Sequence, residues 1–233
     1  MFRDSARFYD ALYSFKDYAA EAERVEGGIR RRNPAAQSML DVACGTGSHL
    51  THLARSFTCE GIDLSAEQLA IAAQRLPDVP LHEADMVTFD LGRRFDAVIC
   101  LFSSIGYTLT VARMEAAVAR MAAHLNPGGV LVVEPWLKPE DWMDGHISRL
   151  FIDEPDLAIA RIALSERKGR VSRFDFHHLI GTTNGVEHVI ERHELGMFSD
   201  DEYRAAFEQA SLAADHDPEG LTGRGLWFGV APA

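Results

Sequence analysis

A chain of 233 residues is long enough for one full α/β core with a modest addition. Its 47% hydrophobic and 25% charged residues are the proportions of a soluble globular protein. A formal net charge of −12 argues against nonspecific nucleic-acid binding, which runs on counterion release by Lys and Arg.

Cys44, Cys59 and Cys100 each sit in or beside an apolar strand and read as buried reduced thiols of a cytoplasmic protein. They form neither a disulfide framework nor a CxxC or Cys/His metal spacing. Charges at Arg3, Asp4, Arg7 and Asp10 leave no signal-peptide apolar region, and no apolar run approaches the length of a membrane span.

In chain order, residues 17–31 form an alanine- and charge-rich helix that ends near Asn33-Pro34. A buried strand from Ser38 to Ala43 then breaks into the turn Cys44-Gly45-Thr46-Gly47 and enters a helix from about Ser48 to Arg55. Gly45 and Gly47 let backbone amides come close to a ligand, because neither carries a Cβ. A second strand, Phe57 to Ile62, ends in Asp63, 18 residues beyond Gly45. At that spacing an acid at the tip of strand two holds the two hydroxyls of a ribose.

Which nucleoside follows from a missing glycine. A dinucleotide fingerprint wants Gly or Ala three places after the second glycine, where this chain has Leu50. The turn has no Lys or Arg, and it opens with Asp41, an acid poorly suited to lie beside phosphate. An acidic turn suits a cofactor with an ammonium group and a sulfonium, which describes S-adenosylmethionine (SAM). The alternative is a structural glycine turn in an unliganded α/β domain.

Ser65-Ala66-Glu67-Gln68 is a capping box, opening a helix that ends before Pro77. A short strand from Val79 to His82 precedes Glu83-Ala84-Asp85-Met86, and Phe95 to Leu101 is a buried strand. The helix from about Val111 to Leu125 stops at Asn126-Pro127-Gly128-Gly129, and Val130 to Glu134 is a continuous apolar strand. This rhythm predicts an α/β fold with a doubly wound, mostly parallel sheet of Rossmann-like type.

After Pro135, segments 158–165, 171–180 and 186–197 alternate with period two, separated by Lys168-Gly169 and Asn184-Gly185. They describe a small antiparallel β insertion after strand five. Ser199-Asp200-Asp201-Glu202 is a second capping box, starting a helix through about Ala210. Leu212 to His216 and Gly225 to Val230 form a closing antiparallel hairpin. The expected organisation is an N-terminal helical lid (1–35), a SAM-binding core (36–135), the β insertion on the acceptor side (136–198), and a C-terminal helix with the closing hairpin (199–233).

Within the core, Asp63 is placed to accept from both ribose hydroxyls, which an ionised carboxylate does with two oxygens. Asp85 is expected to accept from the adenine amino group, with Met86 against the base, the alternative being a loop acid. Asp41 supports the loop and the cofactor's ammonium, and Leu101 offers its carbonyl to the same ammonium. Ala43, Gly45, Gly47 and Leu64 complete the cofactor set.

Asp41-Val42-Ala43-Cys44-Gly45-Thr46-Gly47, Asp63, Asp85-Met86 and Pro127-Gly128-Gly129 resemble the successive motifs of class I SAM-dependent methyltransferases. A narrower likeness spans nearly the whole chain. Phe102-Ser103-Ser104-Ile105-Gly106-Tyr107, Glu134-Pro135-Trp136 and Gly223-Arg224-Gly225-Leu226 resemble the N,N-dimethyltransferases of TDP-linked amino sugars, the desosamine and mycaminose type. Those enzymes methylate a sugar amine twice and carry a small β insert. This chain departs from them at Leu137-Lys138, where they commonly read Trp-Phe, at Asp63 in place of Glu, and in a meander rich in histidine (His177, His178, His188, His193).

The resemblance implies that the segment from Tyr9 to Tyr18 folds over the methionine end of SAM, with Tyr18 or Lys16 near the carboxylate. It places Tyr107 on the acceptor side, where it orients the amine or takes its proton through water; His177 on the meander either faces the acceptor pocket and shares that role or is a surface histidine. Read from the residues themselves, Ser103 lines the acceptor site or is a strand-end turn residue, Trp136 floors that site or fills core, and Arg224 in its Gly-Arg-Gly turn grips a substrate phosphate bidentately or is a solvated hairpin cation. The meander histidines lack zincin spacing, so no metal site is expected.

The reaction this implies is in-line methyl transfer from SAM to a small-molecule acceptor, giving S-adenosylhomocysteine and an N,N-dimethylated, TDP-linked amino sugar. Two alternatives stand beside it: N- or O-methylation of another small secondary metabolite, and a non-catalytic SAM-binding module. No nucleic-acid or membrane partner is expected, and a homodimer is left open.

Overall fold

The protein is described by a computed structural model over residues 8–233; Arg3, Asp4 and Arg7 lie outside the described residues. Strand β1 (Ser38–Val42) lies in the interior of a seven-stranded sheet, as the full burial of Met39, Leu40 and Val42 requires. It pairs in parallel with β2 (Thr58–Asp63) on one side and β4 (Phe95–Cys100) on the other. The sheet extends through β3 (Leu81–Glu83) at one edge and β5 (Leu125–Val133) towards the other. There the antiparallel strands β10 (Ala213–Asp217) and β11 (Leu226–Val230) complete it, in the order β10-β11-β5-β4-β1-β2-β3. Asp96 fixes the start of β1 by accepting from the amides of Gln37 (2.9 Å) and Ser38 (3.0 Å) and from Asn126 (2.8 Å).

Helices cover both faces, as a continuous apolar parallel sheet requires. One core packs α5 (Val111–Ala123) and α6 (Asp200–Gln209) on the sheet through Met114, Val118, Met121, Phe207 and Trp227. The other uses α2 (Tyr18–Arg32), α3 (Leu50–Leu53) and α4 (Ala66–Arg75), with Val25, Ile29, Leu50 and Leu69 buried. The short α1 (Tyr9–Leu12) lies apart from both and packs Tyr9, Leu12 and Tyr13 against Ile159 and Ile180. Strand order reverses between β1 and β4, so the crevice beyond their carboxyl ends is the place for a ligand.

The reciprocal capping box of α6 is present in full: Ser199 accepts from the Glu202 amide and Glu202 from that of Ser199. That of α4 is half made. Ser65 caps the Gln68 amide at 3.3 Å, but the Gln68 side chain turns towards Gly45 instead of back to Ser65. The break Asn126–Gly129 is an irregularity inside β5, whose pairing with β4 shifts register between Phe95 and Ala97.

The insertion is a separate four-stranded antiparallel sheet: β6 (Ile147–Glu154), β7 (Leu157–Lys168), β8 (Val171–Thr182) and β9 (Gly185–Gly196). Alternation finds the last three. It misses β6 because Leu150-Phe151-Ile152 is a continuous apolar run. Among the described residues no helix is long and apolar enough to cross a membrane.

Candidate active site

A cavity of about 620 Å³ opens at the carboxyl ends of β1, β2 and β4 and runs to the inner face of the insertion. Its cofactor end begins at Ala43 and Gly45, both in the left-handed region (φ +61° and +58°). Ala43 holds that conformation at a cost of order 1–3 kcal/mol, the kind of strain that collects where a backbone is shaped around a ligand.

The Gly45 amide donates to Asp63 Oδ2 and the Ser65 amide to Oδ1, each at 2.8 Å. Those two bonds aim the carboxylate and leave further lone pairs on both oxygens for a diol. Burial raises the Asp63 carboxyl above its ordinary range, against the opposing pull of these amides. Asp41, buried on the cavity floor, is raised well above its ordinary range by burial and then by Asp63. Among the described residues no cation figures in the shift of either carboxyl.

Two carboxylates without a cation, beside a turn without phosphate-binding side chains, fit a cofactor that brings its own positive charge. The buried Gln68 Nε2 lines the same cavity and has no hydrogen-bond partner among the described residues, a donor left for a bound molecule. A Cβ on Gly45 would lie 3.0 Å from Gln68 Oε1, closing the space between them. Gly47 serves the fold instead: a Cβ there would meet Leu76 and Ala72, so it seats the turn against α4, and it does not line the cavity.

Asp85, Met86, Leu64 and Leu101 line the cavity with these residues. Asp85 Oδ1 accepts from the Val87 amide at 2.8 Å, and Arg113 of α5 lies 3.4 Å from Oδ2. Sequence reasoning missed Arg113, which lies 28 residues away and reaches Asp85 only in the folded chain.

The N-terminal segment closes this end. Arg75 joins Asp10 to the glycine turn, donating to the Thr46 carbonyl and to Ser48 Oγ, each at 3.0 Å. Glu21 holds Lys16 and His49, each at 2.8 Å, and Lys16 Nζ stands 4.1 Å over the Phe102 ring. Tyr9 and Tyr18 line the cavity, and burial is the main force raising both phenols.

At the acceptor end, Phe102 and Ser103 are both left-handed (φ +52° and +59°). Fully buried Glu134 accepts from the Phe102 amide at 2.6 Å and from Thr222 at 2.9 Å. Ser103 donates to the Pro135 carbonyl (2.7 Å) and accepts from Arg224 (2.9 Å), whose guanidinium lies 5.0 Å from the Trp136 ring. Ser103, itself off the cavity wall, thus anchors Arg224 and does not face the acceptor. Trp136 lines the cavity and donates to Ser172 Oγ at 2.8 Å.

The insertion contributes Arg161, Phe174, Phe176 and His193 to the wall. His193 Nδ1 lies 2.7 Å from Tyr107 Oη. His177 is elsewhere. Side chains alternate along β8, so Phe174 and Phe176 face inward while His177 is exposed on the outer face, 3.2 Å from His188. Parity along β9, applied to Glu191-Arg192-His193, identifies the inward histidine. Lys138, at the departure from the sugar enzymes' usual motif, is ion-paired with Asp200 and lies outside the wall.

A mostly parallel sheet with a glycine turn tied to an acid at its switch point, above the buried Asp41, is the arrangement of a SAM-dependent methyltransferase. A family model described as a methyltransferase domain matches residues 39–129. The chain is 44% identical over 232 residues to the dTDP-3-amino-3,6-dideoxy-alpha-D-glucopyranose N,N-dimethyltransferase of Streptomyces fradiae, covering 98% of this chain and 91% of that one. It superimposes on the crystal structure of Streptomyces venezuelae DesVI with a TM-score of 0.94 (44% identity, 99% of both chains). SAM-bound CalS10, an amino pentose methyltransferase from Micromonospora echinaspora, gives 0.88 (44% identity, 95% of both chains). The chain belongs to the class I SAM-dependent methyltransferases, and its near-full-length likeness is to their amino-sugar N-methylating members.

Proposed function

We propose that the protein transfers two methyl groups from SAM to the amine of a nucleoside-diphosphate-linked amino sugar. The observation that carries this reading is the continuity of one cavity from Asp63 to Arg224, joined to full-length likeness to an enzyme named for a dTDP-3-amino sugar. Arg224, steadied by Ser103 and Trp136, is a preoriented fork for a phosphate. Arg161, 4.4 Å from the Phe176 ring, is a second guanidinium in the acceptor half.

SAM, when bound, supplies a methyl group already activated on a sulfonium. The chain's own residues then bind, orient and exclude water. Asp63 takes the ribose diol with the lone pairs its two amide bonds leave free. Asp85 and Met86 hold the adenine edge, and Asp41 with the Leu101 carbonyl takes the ammonium. Residues 8–35 act as the lid: α1 is pinned to the glycine turn through Arg75 and to the insertion through Leu12 and Tyr13, excluding water from the transfer. A neutral amine attacks without a strong base, so positioning supplies most of the advantage.

N- or O-methylation of another small metabolite is the second reading. Lys138, lying outside the cavity wall, removes one reason for preferring it. Incubation with SAM and a dTDP-3-amino sugar, followed by mass spectrometry, should give mono- and dimethylated products. Failure on every amino sugar tried would leave the second reading.

A second copy of the chain is the proposed protein partner. The outer face of the insertion exposes Phe151 (66%), Leu164 (51%), Leu179 (52%) and Ile190 (53%) on neighbouring strands. Four strands about 4.8 Å apart and up to twelve residues long cover about 700 Å², close to the ~800 Å² per partner of a standard interface. The Arg192–Asp175 pair on that face offers both charge signs to a twofold mate. A cytoplasmic setting is supported by three free, buried cysteines.

A further inference from the structure

Tyr107 and His193 are 86 residues apart in sequence and share one hydrogen bond, Oη to Nδ1 at 2.7 Å. Tyr107 stands in the 3-10 turn Ser104–Thr108 after β4, and His193 on β9, so the bond joins the core to the insertion. Both line the cavity. The His193 ring stacks on Phe174 at 5.5 Å and 16°, with Phe176 at 5.0 Å. Among the described residues, the charged and titratable groups that act on it include Tyr107, His178, Arg161 and Asp175. Burial drives the imidazole pKa down to about 3 and holds the Tyr107 phenol well above its ordinary range. At neutral pH the pair is therefore a neutral ring and an intact phenol. The phenol has one proton, and the lone pair on Nδ1 is a stronger acceptor than the phenol oxygen would be for an imidazole N–H.

We propose that His193 is a positioning residue that takes the Tyr107 hydroxyl proton in a hydrogen bond and so presents Tyr107 to the acceptor amine as a hydrogen-bond acceptor only. A phenol free to turn would donate to the amine's lone pair, and a lone pair so engaged does not attack carbon. Held by His193, Tyr107 Oη accepts an amine N–H and leaves the nitrogen lone pair free.

In each transfer an N–C bond forms as the methyl–sulfur bond breaks, sulfur keeps the electron pair, and the nitrogen releases one proton to water. A primary amine and a monomethylamine both have an N–H for Tyr107. A dimethylamine has none once deprotonated, so the grip is lost after the second methyl and a third is not transferred. The inference rests on the amino-sugar reading and adds to it how the nucleophile is aimed and why methylation stops at two.

The test is a double-mutant cycle in the full-length enzyme with SAM and a dTDP-3-amino sugar. His193→Phe keeps an aromatic ring but removes the acceptor; it should lower kcat about tenfold, with KM and S-adenosylhomocysteine affinity changed less than about twofold. His193→Asn, whose Oδ1 stands near the place of Nδ1, should recover part of the rate. Adding Tyr107→Phe to His193→Phe should cost nothing further, because the misdirected hydroxyl is gone. Independent losses that multiply would overturn the proposal. Imidazole ¹⁵N NMR without substrate supplies a second readout: a neutral Nε2–H tautomer whose Nδ1 signal moves in Tyr107→Phe is expected. An Nδ1–H tautomer or an imidazolium at pH 7 would overturn it whatever the acceptor. The expected tautomer together with no wild-type turnover on amino sugars would remove the amino-sugar reading and, with it, the role assigned to the pair, while leaving the hydrogen bond itself in place.

Discussion

The amide of Gly45 donates to Asp63 Oδ2 at 2.8 Å, so the turn after β1 and the tip of β2 are tied together within the protein itself. The carboxylate proposed to take the ribose is thereby aimed by the turn after β1. Removing it should do two things at once: withdraw the acceptors for the diol and leave the Gly45 and Ser65 amides without a partner. Asp63→Ala is expected to weaken S-adenosylhomocysteine binding by roughly 1.5–3 kcal/mol per charge-assisted bond lost. Titration calorimetry measures this directly, and an unchanged affinity would show the ribose to lie elsewhere.

Asp41 gives a pH-dependent prediction. Its folded pKa is raised by burial and by Asp63, so the unfolded chain ionises first as pH rises. The cost to stability is absent below the unfolded value of about 3.9, grows above it, and is constant once pH exceeds the folded value. Asp41→Asn should therefore raise the apo protein's Tm at pH 8 relative to wild type and leave it nearly unchanged at pH 4. The same variant should bind S-adenosylmethionine more weakly at pH 8. Thermal melts at the two pH values, each paired with a cofactor titration, check both signs.

Arg224 and His177 form a contrasting pair. Arg224→Ala should raise KM for the nucleotide sugar by tenfold or more, at about 1.5–3 kcal/mol for a lost charged contact. Arg224→Lys should recover only part, since a point charge does not reproduce the fork. His177→Ala, on the outer face, should leave kcat/KM within about twofold, because surface substitutions away from special features cost little. Steady-state kinetics on the three variants decides, and a large loss in His177→Ala would contradict the assigned face.

Phe151 is 66% exposed on the outer face of the insertion. Phe151→Glu should shift the protein from dimer to monomer in sedimentation velocity while its melting temperature stays close to wild type. A wild-type chain that sediments as a monomer at micromolar concentration would rule out the second copy.

Local structure was legible in the sequence because it repeats at short range. The glycine turn, Asp63, Asp85-Met86 and the capping box at Ser199 each depend on residues only a few places apart, or on the fixed length of one βα unit. Register and distant pairing were not legible. Ser103 reads as a substrate residue until the fold brings Arg224, 121 residues away, onto its hydroxyl. The capping box at Ser65 reads as complete until the fold turns the Gln68 side chain towards Gly45 and away from Ser65.

The alternation of strands and helices through the core, a SAM-type cofactor and the presence of an antiparallel insertion could all be read along the chain. These follow from periodicity, from glycine's missing Cβ and from charge, all of them properties of neighbouring residues. Which histidine meets Tyr107 emerged only on folding. A strand sends alternate side chains to opposite faces, so a choice between His177 and His193 turns on which face of β8 and β9 packs over the cavity. That is a fact of packing, fixed by contacts between segments far apart in the chain.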